Sequence, residues 1–88
     1  MGLIKQELEK DINRLVGRLK LENELIEVLK RKLTKKEFKY YKLKIENTDD
    51  TTLMRELNCD GKRLEEIKKQ TIYKLNQEKI KKELIIHD

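Results

Sequence analysis

The side chains that could do chemistry are unevenly supplied in this chain. There is a single cysteine, Cys59, and a single histidine, His87, next to the last position. A multi-cysteine zinc site needs more thiol than that, and a lone histidine at the penultimate position leaves the body of the chain without a His-based metal or triad site. Paired carboxylates stand at Asp49-Asp50 and Glu65-Glu66. Neighbours along a helix point in different directions, so neither pair converges on one proton or one cation. Capping and solvation account for both. With three glycines in all, there is no Gly-rich loop to cradle a phosphate. The expectation is a protein that is not an enzyme, with no cofactor, no metal and no evident small-molecule ligand. Cys59 reads as a small buried apolar residue. Tyr40, Tyr41 and Tyr73 read as core or rim packing, since no single-strand-binding fold surrounds them.

Lysine and arginine are what the chain has in quantity. They number 22 against 17 acids, for a net charge of +5 and an isoelectric point near 9.3. Cations in number neutralise phosphates. Their distribution matters more than the sum. Residues 34–47 carry five basic and two acidic groups, and residues 61–75 the same. Residues 48–60 between them carry one basic and four acidic groups. Two basic segments therefore flank an acidic one.

The elements that position these charges are helical. The chain has no Pro, Trp, Ala or Ser; 36% of it is apolar and 44% charged. No window alternates as a strand would. At 88 residues the core is thin, and completion by a second copy or a partner is expected. The fold class is all-α: a long N-terminal helix followed by a three-helix bundle. Leu8, Ile12, Leu15, Leu19, Ile26, Leu29 and Leu33 recur at heptad spacing, interrupted by Glu22. Residues 1–32 then form one amphipathic helix, with Gly17 on its outer face and the seam as a homodimer interface. A second stripe, Leu21, Leu25 and Val28, packs on the rest of the chain.

The second helix opens on a capping box, Thr34 with Glu37, and a hydrophobic staple, Leu33 with Phe38. It stops near Asn47. A short third helix starts at Asp49 or Asp50 and ends at Leu57, with Asn58 suited to a left-handed cap. Asp60 caps a fourth helix, which has Leu64, Ile67, Thr71, Ile72 and Leu75 at core spacing and runs on through Ile80 to Leu84. Residues 85–88 are a frayed tail.

A short helix, a three-residue turn and a longer capped helix are the helix-turn-helix layout. Residues 33–75 resemble the region 4 domain of sigma-70-type factors and of small phage and plasmid activators. That family opens with Leu-Pro/Thr-x-x-Glu, echoed by Leu33-Thr34 and Glu37. Its first turn helix reads Ile-Ala, two residues, then Leu-Gly-Val-Ser; here stand Leu53-Met54 and Leu57-Asn58-Cys59-Asp60. Its recognition helix reads Arg-Val, then Ile, then Ala-Leu-x-x-Leu; here stand Arg63-Leu64, Ile67, Thr71-Ile72 and Leu75. The resemblance covers about half the chain and implies a helix-turn-helix domain over 33–84 that regulates transcription by binding double-stranded DNA. The exposed positions differ from the family's Arg and Gln: they are Gly61, Lys62, Glu65 and Glu66. Met54 replaces a small residue where two helices cross.

On that reading Lys62 and Glu66 face bases, Gly61 allows close backbone approach, and Glu65 shares the face. Arg63, Lys68 and Lys69 contact phosphates or neighbouring side chains, and Lys35, Lys36, Lys39 and Lys42 add phosphate contacts from the preceding helix. The other reading keeps the fold and gives the acidic face to a protein, such as RNA polymerase or a sigma factor. The longest apolar run is Leu84-Ile85-Ile86 and no signal-like stretch opens the chain, so no membrane role and a cytoplasmic location are expected.

Overall fold

The computed structural model describes residues 3–12 and 17–86, and its elements are helices throughout. They are α1 (Leu3–Asp11), α2 (Glu22–Lys32), α3 (Lys35–Ile45), α4 (Asp50–Leu57), α5 (Gly61–Leu75) and α6 (Glu78–Leu84). None among the described residues is long and apolar enough to cross a membrane.

The local signals from Thr34 to Asp60 are realised as read. The Thr34 hydroxyl accepts from the Glu37 amide at 3.2 Å, and the Glu37 carboxylate accepts from the Thr34 amide at 2.9 Å. Asp49 caps α4 through the Thr52 amide at 2.8 Å. Asn58 ends α4 in the left-handed region, φ 52°, where a short amide side chain is tolerated. Asp60 caps α5 through the Arg63 amide at 2.8 Å.

The N-terminal third departs from the single long helix. α1 ends at Asp11, and residues 17–21 are not helical. Gly17 is not on a helix face but at φ +100°, a conformation that suits glycine. Residues 17–21 then lead into α2. Glu22, which looked like a defect in the heptad, ties the start of α2 to the start of α1. Its carboxylate accepts from the Ile4 amide at 3.0 Å and the Lys5 amide at 3.2 Å. It therefore caps α1, whose own first turn has no acid. The N-terminal ends of α1 and α2 lie side by side.

The seam residues consequently face inward. Leu8, Ile12, Leu19 and Leu29 are buried in one cluster with Ile4, Leu25, Val28 and Leu33, and Ile26 is half-buried against it. Leu15 lies outside the described residues. The expected dimer interface is thus a core within the chain. Heptad spacing states that a stripe must be buried; it does not state that the partner is another molecule. Of the second stripe, Leu25 and Val28 join the same core, whereas Leu21 is exposed as the residue preceding α2.

The last helix also breaks. α5 stops at Leu75, and α6 starts after Asn76 and Gln77. The Asn76 side-chain amide donates to the Ile72 carbonyl at 2.9 Å and to the Asp11 carbonyl at 3.0 Å, serving the C-terminal ends of α5 and α1 together. The turn sends Ile80 and Leu84 back onto the N-terminal helices. The expected frayed tail is held in part: Leu19 and Ile85 form an antiparallel bridge. The Ile86 amide donates to the Arg18 carbonyl at 2.8 Å and the Lys20 amide to the Leu84 carbonyl at 2.9 Å.

Two clusters of buried side chains share α3 and α5 as walls. The larger joins α1, α2 and α6 to Tyr41 and Leu75. The smaller, Tyr40, Leu53, Leu57, Leu64 and Ile67, lies between α3, α4 and α5. Adjacent tyrosines on α3 therefore serve opposite clusters. The larger cluster crosses residue 33, so the expected boundary between an N-terminal helix and a separate bundle does not divide the core. A radius of gyration of 12.9 Å agrees with one folded unit, for which about 12 Å is usual at this length.

Candidate nucleic-acid interface

The α4–turn–α5 unit is built by three local devices: the Asp49 cap, left-handed Asn58 and the Asp60 cap. Leu53 and Leu57 from α4 meet Leu64 and Ile67 from α5, with Met54 and Cys59 packed at the margin. Cys59 is half-buried, in keeping with its reading as a small apolar side chain. Gly61 begins α5, and a side-chain carbon built on it would stand 3.8 Å from Met54 Sδ. Met54 thus fills the space beside the start of α5 without collision.

The opposite side of α5 is open. Gly61, Lys62, Arg63, Glu65, Glu66 and Lys69 are all exposed, so the fold brings the expected face together. Its charges are largely paired within the molecule. Arg63 Nη1 lies 3.1 Å from Glu66 Oε2. Lys68 is half-buried; its ammonium is 2.9 Å from Asp50 Oδ1 and 3.7 Å from Glu65 Oε1. The hydrogen bond to Asp50 holds the Lys68 ammonium above the usual lysine range. Among the described residues, Lys62 and Lys69 have no such partner.

The lysines of α3 divide the same way. Lys35 and Lys36 are exposed at its N-terminal turn and make no ion pair among the described residues. Lys39 instead ties α3 to α4, donating to the Glu56 carbonyl at 3.0 Å with the Glu56 carboxylate at 3.7 Å. Lys42 is exposed, with its ammonium 5.7 Å from the Phe38 ring centre. Of the eleven expected nucleic-acid contacts, Lys35, Lys36, Lys62 and Lys69 are therefore the uncommitted cations. Lys39 and Lys68 first serve the fold.

Three features were not drawn from sequence. Glu37, read as a cap, is buried and also takes a 2.7 Å hydrogen bond from Lys74 on α5. Burial alone would raise its carboxyl, but the hydrogen bonds from Lys74 and Thr34 hold it below the usual range. Lys32 at the end of α2 pairs with Glu83 at 2.8 Å. Tyr73, expected to pack, is 69% exposed on α5. A helical count from Lys62, Glu66 and Lys69 would have placed Tyr73 on the open face.

Among the described residues no group of three or more His, Cys, Asp or Glu side chains could hold a metal ion. No buried side-chain polar atom lacks a partner there either. Compared with known proteins, the chain matches no family model, no curated protein and no solved structure.

Proposed function

We propose that this chain is a small regulator that binds double-stranded DNA through its helix-turn-helix, placing the N-terminal half of α5 in the major groove. The observation that carries the reading is the pair of unpartnered, exposed lysines, Lys62 and Lys69, on the open face of a helix whose start is set by the Asn58 turn and the Asp60 cap. Lys62 reaches base edges, and Glu66 accepts from cytosine when Arg63 releases it. Lys69, Lys35 and Lys36 take phosphates. The resemblance to sigma region 4 supports the same docking. The protein acts as a monomer on this reading, since the stripe that would have dimerised it is buried in its own core.

The test is fluorescence anisotropy against random duplex DNA over a range of salt. Three phosphate-directed lysines, Lys35, Lys36 and Lys69, predict a log–log slope of about −3. Absence of binding by the folded protein at low salt would overturn the reading.

One observation favours a second reading, a protein-binding module of the same fold. Arg63 and Lys68 are already neutralised, while Glu65 and Glu66 remain exposed. A partner with a basic surface would then take this face. Reversing Glu65 and Glu66 to Lys separates the two: it strengthens DNA binding under the first and abolishes partner binding under the second.

A further inference from the structure

We propose that the C-terminal half of α5 carries a second, separate docking site, centred on Tyr73, for an acidic amphipathic helix of another protein. Tyr73 is the most exposed large hydrophobic residue among those described, 69% open to solvent. An isolated exposed aromatic is ordinary, but this one forms a ridge with Lys69 between two shallow hollows. One hollow, of about 520 Å³, is walled by Gln70, Lys74 and Lys32 and floored by Ile80. The other, of about 540 Å³, is walled by Lys68 and floored by Ile72. Tyrosine over an apolar floor is a combination that anchors protein interfaces.

Charge selects the occupant. No acidic side chain lines either hollow; four lysines do. The carboxylates paired with three of them, Glu83, Glu37 and Asp50, stand outside the lining, and Lys69 has none. Lys69 is therefore the ammonium that a partner carboxylate meets without displacing one of the chain's own acids, and the neighbouring ion pairs present no acid to the hollows themselves. The apolar floor argues for peptide over nucleic acid, because a phosphodiester chain has nothing to bury there. Two hollows on either side of one ring suit two apolar side chains at i and i+4 on a helix, which stand about 5–6 Å apart.

Position sets the Tyr73 site apart from the base-facing start of α5, and the two surfaces meet at Lys69. Tyr73 lies twelve positions after Gly61, about 18 Å along the helix axis. The start of α5 can occupy a DNA groove while its far end holds a protein, so that one helix bridges the two. The proposal does not rest on the DNA reading, which Lys62→Glu tests by itself.

The probe is a short helical peptide with Leu and Trp at i and i+4 among Glu residues. The chain has no Trp, so probe fluorescence is read without background. Expected are saturable binding weakened by salt, and shifts of the Gln70 and Gln77 side-chain amides in nitrogen-15 spectra. A loss of about tenfold or more is expected in Tyr73→Ala, with a similar loss in Gln70→Glu. Both replaced residues are exposed, so the core is untouched. Duplex DNA affinity should be unchanged in Tyr73→Ala, and Lys62→Glu should leave peptide binding intact. Failure to bind would overturn the proposal, as would equal binding of a peptide with Lys in place of Glu or an undiminished Tyr73→Ala. If Tyr73→Ala instead weakened DNA binding and DNA displaced the probe, the groove would belong to nucleic acid.

Discussion

The Tyr41 hydroxyl donates to Asp11 Oδ2 at 2.9 Å, joining α3 to the end of α1 across 30 residues of chain. The same carboxylate oxygen accepts from Lys44 at 2.6 Å, and the Lys44 ammonium also lies 3.5 Å from Glu7. Tyr41 is fully buried; burial first, then the Asp11 charge, raises its phenol well above the ordinary range, so it remains a donor. This network ties α1 to α3. Tyr41→Phe leaves Asp11 paired with Lys44 and should cost about 0.5–1.5 kcal/mol. Asp11→Ala strands a buried hydroxyl and should cost about 1–3 kcal/mol. Urea denaturation of the two variants checks the order; equal stabilities would show that the hydroxyl finds another partner.

Glu22 distinguishes a self-contained core from a dimeric coiled coil. Glu22→Leu would complete the heptad stripe and stabilise a two-stranded coil. Here it removes the acceptor for the Ile4 and Lys5 amides, and a loss of about 0.5–2 kcal/mol is expected. Thermal unfolding with light scattering gives both readouts. A higher melting temperature together with a doubled mass would support the coil.

The depressed Glu37 carboxyl makes stability acid-sensitive in a defined direction. A folded-state value below 4.5 means that its contribution is present above that pH and is lost as pH falls through the folded value. Glu37→Gln should therefore be less stable near neutrality and lose less on acidification. Urea midpoints measured from about pH 7 down to about pH 3 test the slope. Parallel curves for the two proteins would show that Glu37 carries none of it.

Charge pairing on α5 predicts opposite responses of DNA affinity. Lys62→Glu should weaken duplex binding by removing a base-edge contact, with a smaller change in salt slope than the roughly 0.9 of a lost phosphate contact. Glu66→Gln releases Arg63 from its 3.1 Å pairing to reach a phosphate and should strengthen binding, steepening the slope by about 0.9. Salt titrations of the two variants provide the measurement.

Gly61 offers a test of how closely DNA would approach in the proposed complex. A side-chain carbon there meets Met54 at an ordinary 3.8 Å. Gly61→Ala should thus stabilise the fold by about 0.4–1 kcal/mol through the unfolded chain. Unchanged DNA affinity would place the nucleic acid away from this backbone; a marked loss would place it in contact.

Between Thr34 and Asp60 the helix starts and stops were legible because each is a local hydrogen-bonding decision. A hydroxyl or carboxylate three residues before an amide can cap it whatever else the chain does. The apolar spacing of α4 and α5 was legible for a similar reason. The open face of α5 followed from that spacing, although which of its lysines are uncommitted did not. Lys68 and Asp50 are 18 residues apart, and Lys74 and Glu37 are 37 apart. Such pairs exist only once helices have docked.

The N-terminal third shows the limit most directly. The stripe through Leu8, Ile12, Leu19 and Leu29 determined that these side chains would be buried. Whether their cover would be a second molecule or a returning segment of the same chain was decided by Gly17, Glu22 and Asn76. Each of these acts on backbone groups distant in sequence or on a reversal that periodicity cannot register. Hydrophobic spacing specifies which face leaves water; it carries no information about the molecule to which the covering surface belongs. Only the tertiary fold, by bringing Glu22 to the start of α1 and the chain end to Leu19, settles that choice.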